Sequence, residues 1–268
     1  MDEVQLATTQ KPEWDYNVVL KQVETVDRKD EIIFGRLATV DESTSQPIGL
    51  VGGRYRLIQN KTIHDTMQSL STRLGLKEES ARVYKGKRIC AFKYAFEKAE
   101  TTIENSQTPE DKIHFGIEVI NSFDMGLVRM VRAFAHRLVC KNGLVVPKEV
   151  GRISLNRLGE FSEAAVGDEL ERRLQPIILT ANTWREWAKV EPNRIKASDL
   201  INSSLPKKAA EQILSEYGNG KDKTIWGLYN HVTYYITHVA KSKDLQDLRV
   251  KQWELENLAS KFYTADLS

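Results

Sequence analysis

The residues in this chain most suggestive of chemistry are arginines inside a stretch that otherwise reads as a strand. Arg129, Arg132 and Arg137 interrupt a run of Leu, Val, Met, Phe and Ala between Leu127 and Cys140. An arginine buried without a partner is costly, so such a run calls for ion pairs or an anionic ligand. Strand alternation sets Arg129 and Arg137 on one face and Arg132 on the other. Upstream, Tyr84 stands among Arg82, Lys85, Lys87 and Arg88, and Lys141 follows the run. Together these cations make a candidate phosphate-contacting strip, because the planar guanidinium fork matches phosphate oxygens. Tyr84, Phe92, Tyr94 and Phe134 lie near them in sequence, and exposed rings there would stack on bases. The plainer alternative is a sheet with one wet face, where the cations balance acids and the alternating aromatics fill the core.

Other chemistries find less support. No Gly-x-x-x-x-Gly-Lys-Ser/Thr occurs, so no phosphate-cradling loop is expected. Gly52-Gly53 reads as a bulge or a tight backbone approach. The five histidines form no His-Glu-x-x-His. His231 and His238 share a helix side, which supplies two ligands at best against the four of a structural metal site. Cys140 and His136 are four apart; in a strand that is about 13 Å, too far for a nucleophile and its base. Glu118 is expected on the solvated face of its strand, and Asp124 in a turn where aspartate bonds its own backbone. What remains for an enzyme is a site assembled from Asp124, His136, Asn230 and His238, which requires all four to converge. No metal, cofactor or catalytic residue is expected.

The 268 residues are 41% hydrophobic and 28% charged, an ordinary globular balance. No window approaches the ~18 apolar residues of a membrane span, and the polar, acidic start lacks a secretory pattern; the expected location is the cytoplasm. Cys90 and Cys140 lie in apolar runs outside any Cys-x-x-Cys and read as buried thiols. The net charge of +2 conceals segregation. Residues 1–31 carry eight acids against four bases, and residues 129–157 carry seven bases against Glu149 alone. Segregated charge points to an electrostatic partner.

The elements that position these residues divide the chain into an acidic N-terminal arm (1–31), a β-rich core with one helix (32–150) and a helical portion packing on it (151–268). The fold class is α+β, a hairpin-rich antiparallel sheet packed with a helical C-terminal half. Ile63, Met67, Leu70 and Leu74 are spaced for a helix over about 60–74. Cys90, Phe92, Tyr94 and Phe96 alternate in a strand, residues 100–112 read as a polar loop, and 114–140 reads as a β-hairpin. Further on, Pro176 is expected to break a helix. Trp226, Tyr229, Val232, Thr233 and Ile236 mark one buried helix face, and Leu245 to Phe262 a last helix.

Three stretches resemble signature blocks of one family: Arg54-Tyr-Arg-Leu-Ile-Gln-Asn60, Arg137-Leu-Val-Cys-Lys-Asn142 and Trp226-Gly-Leu-Tyr-Asn-His-Val-Thr-Tyr-Tyr-Ile-Thr-His238. The family is the phage/plasmid-like proteins described as domain of unknown function nine-three-two. The resemblance spans about residues 48 to 262. Asn121-Ser-Phe-Asp-Met-Gly126 is similar to the family's Ser-x-Asp-Gly turn with Met125 inserted. The resemblance implies a phage or mobile-element origin and, through a loose likeness of fold, kinship with single-strand annealing recombinases, which need no nucleotide hydrolysis. The expectation is therefore a homo-oligomeric protein that binds and anneals single-stranded DNA through Arg82, Lys85, Lys87, Arg88, Arg129, Arg132, Arg137 and Lys141. The alternative is a phage accessory protein that binds a host or defence protein.

Overall fold

A computed structural model describes residues 11–24, 32–84, 86–105, 108–126, 129–137, 143–145, 152–154, 161–239 and 257–267. Strands come first and most helices after, as the α+β reading expects. β1 (Val18–Glu24), β2 (Ile32–Asp41) and β3 (Pro47–Gly52) form a three-stranded sheet in chain order. β4 (Leu76–Tyr84), β5 (Ile89–Asn105), β6 (Thr108–Ser122), β7 (Met130–Arg137) and β8 (Gly143–Val145) form a second sheet, and β9 (Arg152–Ser154) also pairs with β7. All pairings among the described residues are antiparallel, the arrangement that short turns between neighbours permit.

Period-two alternation sets the inner face of the larger sheet. Cys90, Phe92, Tyr94 and Phe96 of β5 are buried there beside Phe115, Ile117 and Val119 of β6 and Val131, Ala133 and Ala135 of β7. Helix α1 (Asn60–Leu74) lays Ile63, Met67 and Leu70 on this face and stops at Gly75, whose φ of 62° is the left-handed value a helix end favours. Helices α2 (Glu163–Trp187), α3 (Arg194–Ser204), α4 (Lys207–Asn219) and α5 (Ile225–Tyr234) follow, and a π-helical turn (Tyr235–Val239) continues α5. The expected stripe holds: Trp226, Tyr229, Val232, Thr233 and Ile236 are all buried. Trp184 stacks on Phe115 with ring centroids 5.7 Å apart. The Trp226 indole donates to Asp111 of β6 at 3.2 Å. One apolar cluster therefore takes residues from both halves of the chain.

The structure corrects several expectations. Part of the supposed arm is β1: Val18, Val19 and Leu20 pair with Asp41, Val40 and Thr39. The supposed loop at 100–112 is mostly strand, because β5 runs to Asn105 and β6 starts at Thr108. Thr101, Ile103, Asp111 and Ile113 are buried there, so polar composition concealed an alternating pattern. Pro176 breaks nothing; α2 runs through it. The proline is exposed while Leu170, Ile177, Ala181 and Trp184 carry the buried face, so packing outweighs the roughly 3 kcal/mol an interior proline costs. β9 is a strand inside the span expected to be helical. In the last expected helix, residues 257–264 are helical, and Leu245, Leu248 and Trp253 lie outside the described residues.

Candidate functional site

The outer face of the larger sheet carries one of the expected arginines. Register aligns Lys93, Glu118, Arg132 and Arg152 across β5, β6, β7 and β9. Glu118 does lie on the face opposite Phe115 and Val119, but it is buried rather than solvated. Arg132 Nε donates to its Oε2 at 2.5 Å, Arg132 Nη2 pairs with the same oxygen, and Lys93 Nζ lies 4.0 Å from Oε1. The Arg132 charge is therefore answered inside the sheet. Lys93 also sits 5.3 Å over the Phe134 ring, which packs so closely on Gly116 that a Cβ there would strike it. Ile89, Ala91, Ile120 and Met130 form a small apolar cluster beside Tyr84 on the same face. Arg82 is exposed at the rim. Phe92 and Tyr94 point the other way and are core residues.

The end of this sheet that holds the β4–β5 and β6–β7 turns gathers more cations. The segment after β3 crosses it. Gly53 N donates to Gly35 O at 2.9 Å; a Cβ at Gly53 would make only ordinary contact with Gly35 and one at Gly52 would meet nothing within 4 Å, so no tight approach requires either glycine. The Tyr55 hydroxyl donates to Ser122 O at 2.7 Å. Arg129 Nη1 donates to Arg56 O at 2.9 Å, and its guanidinium lies 5.0 Å from the Tyr55 ring centroid. Phe123 N donates to Arg88 O at 2.8 Å. Arg36 pairs with Gly52 across β2 and β3. These links bring Arg36, Arg54, Arg56, Arg88 and Arg129 to one end of the sheet, and all but Arg129 are exposed there.

Two described acids nearby, Asp124 and Asp41, are committed. Asp124 Oδ1 accepts from Ser122 Oγ at 2.8 Å and Gly126 N at 2.7 Å, the turn role expected of it; Met125 adopts a positive φ of 56° in that turn. Asp41, buried, takes Lys87 Nζ at 2.5 Å. That lysine, with the Ser43 and Thr44 donors, holds the Asp41 carboxyl well below the usual carboxylate range. Lys87 is thus spent on Asp41 and on the Tyr16 ring, 4.8 Å away. Of the expected strip, Arg82 and Arg88 are exposed, while Lys87, Arg129 and Arg132 make internal contacts. Lys85, Lys141 and the Arg137 side chain lie outside the described residues. Arg36, Arg54 and Arg56 escaped the sequence reading; the signal for the last two was their place directly after Gly52-Gly53.

The four residues considered for an enzyme do not meet. Asp124 is in the β6–β7 turn, and His136 is near the far end of β7, paired with His114. Asn230 is buried in α5 and donates to Trp226 O, and His238 is exposed beside Tyr234. Cys90 is buried and free; Cys140 lies outside the described residues. A polar groove of about 680 Å³ between β5 and α2 mixes Glu100, Glu104 and Glu186 with Arg185 and Lys189, and Arg185 straps it by bonding Thr101. Among the described residues there is no group of His, Cys, Asp and Glu suited to a metal ion, and no helix long and apolar enough to cross a membrane.

No curated protein and no solved structure matches this chain. The likeness to annealing recombinases is therefore not among the findings. A family model does match, over residues 47–256, which takes in the arginines around Tyr55, the larger sheet and α5. The chain belongs to the family described as Domain of unknown function (DUF932).

Proposed function

We propose that this protein binds single-stranded nucleic acid at the turn end of its six-stranded sheet, as the contact surface of an ATP-independent annealing protein. One observation carries the reading: exposed Arg36, Arg54 and Arg88 gather where, among the described residues, Asp41 and Asp124 are committed internally. Such a surface attracts phosphates without reading sequence. Single strands are favoured over duplex because Tyr84, half-buried beside Arg82 on the adjoining face, offers a ring to which only an unpaired base presents its face. Annealing brings two strands together, so the reading includes self-association, and it puts the protein in the cytoplasm where nucleic acid is met.

Fluorescence anisotropy with labelled single- and double-stranded oligonucleotides tests this. Affinity for single strands should fall linearly in log salt, with a slope of about −0.7 per phosphate neutralised. The Arg54→Ala/Arg88→Ala variant should lose about 1.4 of that slope while melting like the parent. Absence of binding at low salt, or an unchanged slope in the variant, overturns the reading. Light scattering should show a species larger than one chain when strand is bound. A second reading, an accessory protein that docks on a host or defence protein, draws on Leu50 and Met125, both 59% exposed at this same end; failure to bind any oligonucleotide would leave that one standing.

A further inference from the structure

Arg129 is the most deeply buried cation among the described lysines and arginines, at 4% exposure. Buried charges in proteins are paired, since desolvation otherwise drives them out. Arg132, only three residues on, follows the rule with Glu118. Arg129 does not: among the described residues no carboxylate lies within ion-pairing distance of it, and its contacts there are the Arg56 carbonyl and Tyr55, through both the ring and a side-chain hydrogen bond. Its Nε is buried with no hydrogen-bond partner. The nearest acid in sequence, Asp124, spends its Oδ1 on its own turn.

These contacts hold the guanidinium plane and leave much of its fork unused. One Nη is fixed on Arg56 O and the ring of Tyr55 supports the face, whereas a guanidinium has five N–H donors and no acceptor. An anion answers both the charge and the remaining donors of such a group. A phosphate suits it best, because its non-bridging oxygens take two parallel N–H donors at once and because Arg54, exposed on the flanking segment, favours a strongly charged ligand over a neutral one. We propose that Arg129 is the floor of an anion seat that takes a phosphate group. This inference rests on the nucleic-acid reading for the source of that phosphate, the backbone of the bound strand; the seat itself is open to test with inorganic phosphate.

The test uses the full chain and two variants, Arg129→Gln and Arg129→Lys. Thermal melting is compared in phosphate and in chloride at equal ionic strength. The parent should melt at a higher temperature in phosphate. Arg129→Gln should lose that rise, and its salt slope for single strands should shrink by about 0.7. Arg129→Lys preserves the charge without the fork and should show a smaller rise; it decides the matter if Arg129→Gln fails to fold. Equal responses to phosphate in the parent and in the folded Arg129 variants overturn the seat. Strand binding by the parent with no phosphate response sinks the seat and leaves the nucleic-acid reading intact. A phosphate response without strand binding does the reverse.

Discussion

Replacing Arg132 by methionine should destabilise the protein without touching its ligand surface. The substitution leaves the Glu118 carboxylate 3% exposed, with Lys93 at 4.0 Å as its remaining cation. Removing one partner of a buried pair costs about 3–5 kcal/mol. The Arg132 side chain is 18% exposed and Lys93 persists, so the lower figure, about 3 kcal/mol, applies. At roughly 2–4 °C per kcal/mol for chains approaching this size, Tm should fall by about 6–12 °C. Glu118→Leu should cost less, about 1–2 kcal/mol, because the longer Arg132 can carry its charge toward water while its stem stays packed. The double variant should return close to the parent, since a buried pair exchanged for apolar groups of similar volume is often neutral. Calorimetry on the four proteins closes this cycle. The Arg132→Met loss should persist in about 1 M salt, which screens buried pairs poorly. Two results refute the reasoning. If Arg132→Met melts like the parent, Glu118 is solvated after all. If the double variant stays folded but loses salt-dependent strand binding, Arg132 contacts phosphate.

Trp226→Ala should cost about 3–5 kcal/mol, the range for a large aromatic truncation, because the ring is fully buried against Trp184 and Tyr229; an unchanged Tm contradicts its place in the core. Burial pushes the Cys90 thiol up to about 12, so in a Cys140→Ser background a thiol reagent should label the protein only on unfolding, and prompt native labelling would show Cys90 to be accessible. Asp41 has a folded pKa depressed first by Lys87, so its contribution to stability is present above the unfolded value of ~3.9 and is lost as pH falls through the folded value. Lys87→Met should therefore lower Tm most near pH ~6, by an amount that shrinks progressively as pH falls below ~3.9; a loss that does not shrink over that range would mean that the ion pair is not responsible.

Where periodicity was strong, the fold was legible. The three-to-four spacing of Ile63, Met67 and Leu70 named α1 and its end at Leu74, and the alternation of Phe115, Ile117 and Val119 named β6. The misses share a cause: local chemistry was outvoted by packing. Thr101 and Ile103 sit among glutamates and threonines, and only the long pairing of β5 with β6 shows that they face inward. Pro176 carries a strong local signal to stop, yet the buried stripe from Val166 to Trp187 continues past it. The acidic start of the chain hid β1 because a short edge strand needs its partner β2 to be recognised.

The site was less legible, since what makes an arginine available is decided across strands rather than along them. Arg129 and Arg132 stand in one run and looked alike. Glu118, fourteen positions before Arg132, becomes its partner only through the β6–β7 register, and among the described residues no acid does the same for Arg129. Lys87 looked like a free turn cation until Asp41, on the other sheet, claimed it. Arg36, Arg54 and Arg56 are separated from Arg88 and Arg129 in sequence by at least α1 and β4, and a search for contiguous charge passes over them. They reach one end of the sheet because the Gly53–Gly35 and Tyr55–Ser122 bonds fold the segment after β3 across the β6–β7 turn. Chain order therefore predicts the number of cations well and their availability poorly. Availability depends on which carboxylates the register delivers, and among the described residues at this end of the sheet Asp41 and Asp124 are already bonded to other donors.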